Sequence, residues 1–181
     1  MATLYTIGHS TRTLAELVAA LAASDVELLV DIRSIRRSRT NPQFNETKLA
    51  RALPARGIGY RAMPGLGGRR PRSKTTPPER NAGWRVAAFH NYADYAETAD
   101  FAAAFAELAT LAETNRCSIM CAEAVWWRCH RRIVADYAIL AGLRVEHIFT
   151  PTKRERATRT PFAKLDRKTR TLRYPALDAA R

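Results

Sequence analysis

The sequence predicts an α/β fold: a three-layer, mainly parallel five-stranded sheet with helices on both faces, Rossmann/flavodoxin-like in kind. Three observations predict it. Short apolar runs of four or five residues alternate with longer stretches whose apolar residues recur at helical spacing. Those runs are almost unbroken by polar residues, as strands covered on both faces require. Each is followed by glycine or polar residues and then a helix-like segment, so the connections read as right-handed crossovers between parallel strands.

The first strand is Leu4 to Ile7, stopping at the turn-like Gly8-His9-Ser10. Thr13 and Glu16 have capping-box spacing, and Leu14, Leu17, Val18 and Leu21 share one helical face, so a helix runs to about Ala23. Leu28 to Ile32 is the second strand. Asn45 caps a helix through about Arg56, with Pro54 tightening its last turn and Gly57 ending it. Ile58 to Ala62 is the third strand. Residues 68–85 hold little to bury before Trp84 and read as a mobile basic loop. Tyr92 to Asn115 is helical with a break near Thr98 to Asp100. Cys117 to Cys121 is the fourth strand, Arg131 to Ala141 a helix stopped by Gly142, and Val145 to Phe149 the fifth strand. Residues 1–150 therefore form one domain, and 151–181 a basic, weakly periodic C-terminal extension.

At 181 residues and 46% hydrophobic content, one domain with a sizeable core is expected. No apolar run approaches a membrane span, and no leader pattern opens the chain. A cytoplasmic location without membrane contact is the expectation. Three cysteines are too few for a disulfide framework, which fits reduced thiols. The net charge of +13 is unevenly spread: residues 67–85 carry +5 and residues 151–173 carry +7, leaving the rest nearly neutral.

In a parallel sheet all strands end at one edge, so residues just after each strand converge. This selects His9 and Ser10, Asp31 and Arg33, Arg61, Cys121 and Glu123, and His147. The segment from Ile119 to Arg132, IMCAEAVWWRCHRR, is the densest chemically. Cys121 is the candidate nucleophile, because arginines and a following helix favour its thiolate; Cys117 is a small buried apolar residue instead. Glu123, His9 and His130 are the acid/base and proton-carrying candidates. Asp31 serves to hold an arginine such as Arg33 or Arg131. Arg33, Arg36, Arg37 and Arg39, with Arg128, form a cationic cluster suited to phosphate or another anion. An arginine stands seven positions after Cys121, one further than in the phosphate-cradling loops of cysteine phosphatases, so that motif is not claimed. Cys121, Cys129 and His130 are weak metal-ligand candidates whose spacing fits no standard zinc site, and no metal or other cofactor is assigned. Trp126 and Trp127 either stack on a ligand ring or cover a core edge.

The segments TIGHS, VDIRSIRRSRTNPQFN, GIGYRAMPGLGG, FHNYADYAETADF, MCAEAVWWRCHRR and VEHI occur in this order. Together they resemble the family of domain of unknown function 488, over about residues 3 to 149. The resemblance implies a cytosolic α/β domain without an assigned reaction. Its hallmark positions map onto Gly8, His9, Ser10, Asp31, Arg33, Ser38, Arg39, Phe44, Tyr60, Gly67, Gly68, Tyr92, Cys121, Glu123, Cys129, His130 and Arg131. Three positions depart from the pattern. Arg36 and Trp126 stand where prolines are usual, and Ala62 stands where a histidine is common.

The expected ligand is a small anionic or phosphorylated molecule, a nucleotide included, with Ser10, Asp31, Arg33, Arg37, Arg39, Arg128, Arg131 and Tyr92 as its binding residues and Cys121, Glu123, His9 and His130 as the reactive ones. The alternative is a nucleic-acid binding or processing accessory using the basic loop and tail. A metal-binding or redox module is the third reading.

Overall fold

The computed structural model describes residues 2–176. Residues 177–181 of the basic C-terminal segment lie outside the described residues. The chain forms β1 (Thr3–Gly8), α1 (Leu14–Ala22), β2 (Leu28–Asp31), α2 (Glu46–Ala52) and β3 (Gly59–Ala62). It continues through α3 (Ala87–Tyr95), α4 (Ala99–Thr114), β4 (Cys117–Cys121), α5 (Arg131–Leu140) and β5 (Arg144–Thr150). Three short strands follow: β6 (Lys153–Arg156), β7 (Lys164–Asp166) and β8 (Thr171–Arg173).

The main sheet has six strands in the order β3-β2-β4-β1-β5-β6, and all neighbours are parallel except β5 and β6. The expectation of five strands is thus corrected by one. In β6, Lys153-Arg154-Glu155-Arg156, every residue is exposed. It is recruited through backbone pairing with β5 and carries no apolar signal. The strand order also differs from both Rossmann (3-2-1-4-5-6) and flavodoxin (2-1-3-4-5) arrangements. Apolar runs reveal strands but not the neighbours each will choose.

Sheet residues alternate between two apolar clusters. Leu4, Val30, Ile119 and Val145 pack with α3, α4 and α5; Ile7, Leu29, Met120 and Ile148 pack with α1 and α2. Burial of this kind contributes roughly 25 cal/mol per Å² of apolar surface. The capping box of α1 forms as its spacing predicts, with Glu16 N donating to Thr13 Oγ1 at 3.2 Å and Thr13 N donating to Glu16 Oε2 at 2.7 Å.

Two helix boundaries differ from expectation. Asn45 does not cap α2 with its side chain, because Oδ1 accepts from Ser38 N at 2.7 Å and pins the arginine-rich loop instead. The helix ends at Ala52, and Pro54–Arg56 forms a separate 3-10 turn. The stretch after Trp84 begins helical structure at Ala87, five residues before Tyr92, and Thr98 both ends that turn of chain and caps α4 by accepting from Phe101 N at 3.3 Å.

The segment past Pro151 contributes to the core despite its charge. Ala157, Ala163, Leu172 and Tyr174 are buried, and the β7–β8 hairpin is tied to α5 by Leu172 N donating to Tyr137 Oη at 3.1 Å and Tyr174 Oη donating to Asp136 Oδ2 at 3.0 Å. The basic stretch before Trp84 is anchored too: Arg70 lies 3.7 Å above the Tyr95 ring, and Asn81 Nδ2 donates to Asp94 at 2.8 Å. Among the described residues, no helix is long and apolar enough to cross a membrane.

The carboxyl ends of β1 and β4 lie side by side, with Gly8 opposite Cys121. The connection from β1 leads to α1 on one face, and that from β4 leads to α5 on the other. Such a divergence opens a crevice at the sheet edge, the usual place for a ligand in open α/β sheets.

Candidate functional site

A cavity of about 630 Å³ occupies this edge, with His9, Arg33, Cys121, Glu123, Cys129 and His130 among its walls. Parallel pairing carries on past the strands, since His9 N donates to Cys121 O at 2.9 Å and Ser10 N to Ala122 O at 3.0 Å. The backbone thereby fixes the position of the β4 thiol.

Cys121 meets a guanidinium and a second thiol. Arg131 Nη1 donates to its Sγ at 2.7 Å, and Cys129 Sγ donates to it at 2.7 Å. Arg131 is only 2% exposed. Its other bonds go to the carbonyl oxygens of Glu123, at 2.8 Å, and Ala124, at 3.0 Å. Among the described residues no carboxylate forms an ion pair with it. A buried arginine stays charged and demands a counter-charge, which leaves the Cys121 sulfur as the group able to supply one. Burial alone pushes the Cys121 thiol up. The Cys129 hydrogen bond and the Arg131 charge outweigh it and hold the thiol below its ordinary value. Burial, reinforced by Cys121, pushes the Cys129 thiol well up. Of the two sulfurs, Cys121 is thus the more easily ionised. Cys117, buried earlier on the same strand, is pushed up to about 11 chiefly by burial.

Gly8 is required by this geometry. An ideal Cβ there would lie 1.7 Å from Glu123 O and 2.7 Å from Arg131 Nη1. Gly68 is similarly close to the His130 ring, with Nδ1 at 2.8 Å from its would-be Cβ.

A second buried cation forms the opposite wall. Arg33 Nε donates to Asp31 Oδ1 at 2.8 Å and Nη2 to Oδ2 at 2.6 Å, a bidentate pair, while Nη2 also donates to Phe44 O at 2.7 Å. Tyr60 Oη donates to Asp31 Oδ2 at 2.7 Å. Arg33 Nη1 lies 3.1 Å from His9 Nε2. Arginine has only donors, so His9 accepts there, and its proton sits on Nδ1, donating to Ser10 O at 2.9 Å. Burial, with Arg33 nearby, holds His9 below its ordinary value. The ring also stacks on Phe44 at 4.4 Å.

His130 is held down to about 4, chiefly by burial. Its Nδ1 lies 3.6 Å from Cys129 Sγ, and its buried Nε2 has no hydrogen-bond partner. Ser34 Oγ donates to Gly68 O at 2.6 Å and joins the two loops that form the cavity wall. Arg37, Arg69 and Arg128 are exposed and line the mouth, as do Ile35 and Val86. Ser10 and Arg69 both have positive φ, 47° and 56°. Such backbone is uncommon outside glycine, and it clusters at ligand sites.

Of the residues expected at the strand ends, the structure brings His9, Ser10, Arg33, Cys121 and Glu123 together, and His130, Arg37 and Arg128 join them. Other candidates lie elsewhere. His147 is inside β5, where it is buried, stacked on Trp126 at 4.6 Å and bonded through Nδ1 to Thr6 Oγ1 at 2.7 Å. Arg61 is exposed and pairs with Glu107. Asp31, Arg131 and Tyr92 lie behind the cavity surface: Asp31 and Arg131 hold Arg33 and Cys121, and Tyr92 Oη donates to Leu66 O at 2.7 Å. Arg39 is exposed and outside the lining. Ala62, at the end of β3, pairs in register with Asp31. Trp126 covers His147 rather than the cavity, and Trp127 is 46% exposed. Among the described residues, no group of three or more His, Cys, Asp or Glu side chains is placed to hold a metal ion.

Among the lining residues missed by sequence reasoning are Ser34, Ile35, Arg69 and Val86, which reach the cavity from loops without periodicity. The dense arginine run around Ile35 was their nearest signal.

The profile of the family described as "Domain of unknown function DUF488" matches residues 13–138. No curated protein and no solved structure matches the chain.

Proposed function

The chain belongs to the DUF488 family, and from that premise we propose an enzyme that uses the Cys121 thiolate on a small anionic substrate, phosphorylated molecules included. The observation that carries this reading is the buried Arg131 guanidinium, which meets Cys121 Sγ at 2.7 Å and no carboxylate among the described residues. A thiolate is the nucleophilic form of cysteine, and a positive neighbour maintains it at neutral pH.

The arginines divide the work. Arg37, Arg69 and Arg128 at the mouth attract and orient the anionic group, while Arg33, fixed by Asp31, stiffens the wall. Cys121 Sγ attacks the electrophilic centre, the bond from that centre to the leaving group breaks, and the leaving group takes a proton from water. Glu123, without an ion-pair partner among the described residues, activates the water that frees the product. His9 has both ring nitrogens engaged and acts as a positioning residue. His130, which lines the cavity and is neutral at pH 7 because burial holds it down to about 4, is the remaining proton acceptor.

Paired alkylating reagents test the reading. Iodoacetate carries a carboxylate and iodoacetamide does not. Cys121 should prefer iodoacetate, lose that preference in an Arg37→Ala, Arg128→Ala double variant, and be protected by inorganic phosphate. A preference for the neutral reagent with no protection would reject the proposal.

A second reading has one observation in its favour. All nine lysines and arginines between residues 151 and 173 are exposed, which suits contact with a nucleic-acid backbone. Because Leu172 and Tyr174 are core residues, deleting the tail is a poor test. Replacing Lys153, Arg154 and Arg156 by glutamine should flatten the salt dependence of nucleic-acid binding, and an unchanged slope would remove β6 from this reading.

A further inference from the structure

We infer that Cys121 and Cys129 act together as a peroxide-reducing dithiol, Cys121 attacking and Cys129 resolving. The inference rests on the reading of Cys121 as the reactive sulfur and extends it by giving Cys129 a chemical task of its own.

The two Sγ atoms are 2.7 Å apart. That is closer than ordinary contact between unbonded sulfurs and a short closure from a disulfide of about 2.05 Å. The two sulfurs stand on supports of different stiffness. Cys121 ends β4 and is paired to Gly8 in the sheet interior, whereas Cys129 follows the single 3-10 turn Trp126–Arg128 in the loop leading to α5. A small movement of that loop completes the bond without disturbing the sheet. Both cysteines line the cavity floor, 2% and 3% exposed. That depth admits a small oxidant and excludes a folded protein partner. Arg131 Nη1 is already bonded to the attacking sulfur and favours its nucleophilic thiolate form.

In the first step, Cys121 thiolate attacks one oxygen of a hydroperoxide. An S–O bond forms and the O–O bond breaks. The departing alkoxide, or hydroxide, takes a proton from water. Sulfur loses two electrons and the peroxide gains them. Next, Cys129 sulfur attacks the Cys121 sulfenic sulfur, so that an S–S bond forms and the S–O bond breaks, and the released hydroxide leaves as water with the Cys129 proton. An external dithiol then returns two electrons and two protons and is itself oxidised.

The test uses the full chain, reduced and then treated with one equivalent of hydrogen peroxide. Wild-type protein should lose two hydrogens in intact mass, and peptide mapping should join Cys121 to Cys129. Cys129→Ser should accumulate a sulfenic acid at Cys121 that dimedone traps. Cys117→Ser should behave as wild type. A wild-type protein that over-oxidises at Cys121 or stays reduced, with no joined peptide, overturns the inference without needing any variant. If Cys121 still alkylates readily in that case, only the dithiol inference fails; if it is inert to both reagents, the nucleophile reading fails as well.

Discussion

Arg33 donates to a histidine as well as to a carboxylate: its Nη1 lies 3.1 Å from His9 Nε2 while Nε and Nη2 grip Asp31. The contact fixes which nitrogen of His9 carries the proton, and with it the neutral state of that wall of the cavity. It also makes Asp31, which never reaches the cavity surface, responsible for the cavity's shape.

Asp31→Asn should therefore cost about 3–5 kcal/mol, the usual effect of leaving a buried ionic partner uncompensated. Urea unfolding of the variant checks this. The Cys121 thiol, held by Arg131 on the far side, should keep its alkylation rate if the variant is assayed below its unfolding transition.

Gly8→Ala should destabilise the protein by about 3 kcal/mol, because no rotation of a methyl group relieves a 1.7 Å approach to the Glu123 carbonyl. Glu123 O and Arg131 Nη1 must both move, so Cys121 should also lose reactivity at pH 7. Thermal denaturation and alkylation kinetics on the same sample read the two effects together.

Acid should weaken the fold through two histidines, the half-buried His130 and the buried His147. His130 is held down to about 4 and His147 to about 3, each chiefly by burial, from an ordinary 6.5. Both take up protons more readily in the unfolded chain, so the stability they carry is complete above pH 6.5 and is lost as pH falls towards 4 and then 3. For His130 the loss is on the order of 3 kcal/mol. His147→Gln should flatten the lower part of this pH profile of the melting temperature.

Much of this site was legible because strands announce themselves. Leu28 to Ile32 and Cys117 to Cys121 are apolar runs, and the polar residues that follow them had to converge at one edge. His147 shows where the rule fails. A histidine inside an apolar run reads the same at a strand end as in mid-strand, and only the β1 pairing of Thr6 with His147 puts it under Trp126. β6 was invisible since Lys153 to Arg156 bury nothing. The meeting of Arg131 with Cys121 depends on the path of the nine-residue loop 122–130, which has no periodicity. The sequence brought both residues forward as candidates, but with Arg131 as a ligand holder rather than a partner of the thiol.

Ionisation of Cys121 tests the central claim most directly. In a Cys117→Ser background, the rate of iodoacetamide alkylation at Cys121 should titrate below the ordinary thiol value of about 8.5. A rate that rises only above that value would mean that Arg131 does not hold a thiolate, and would contradict the account.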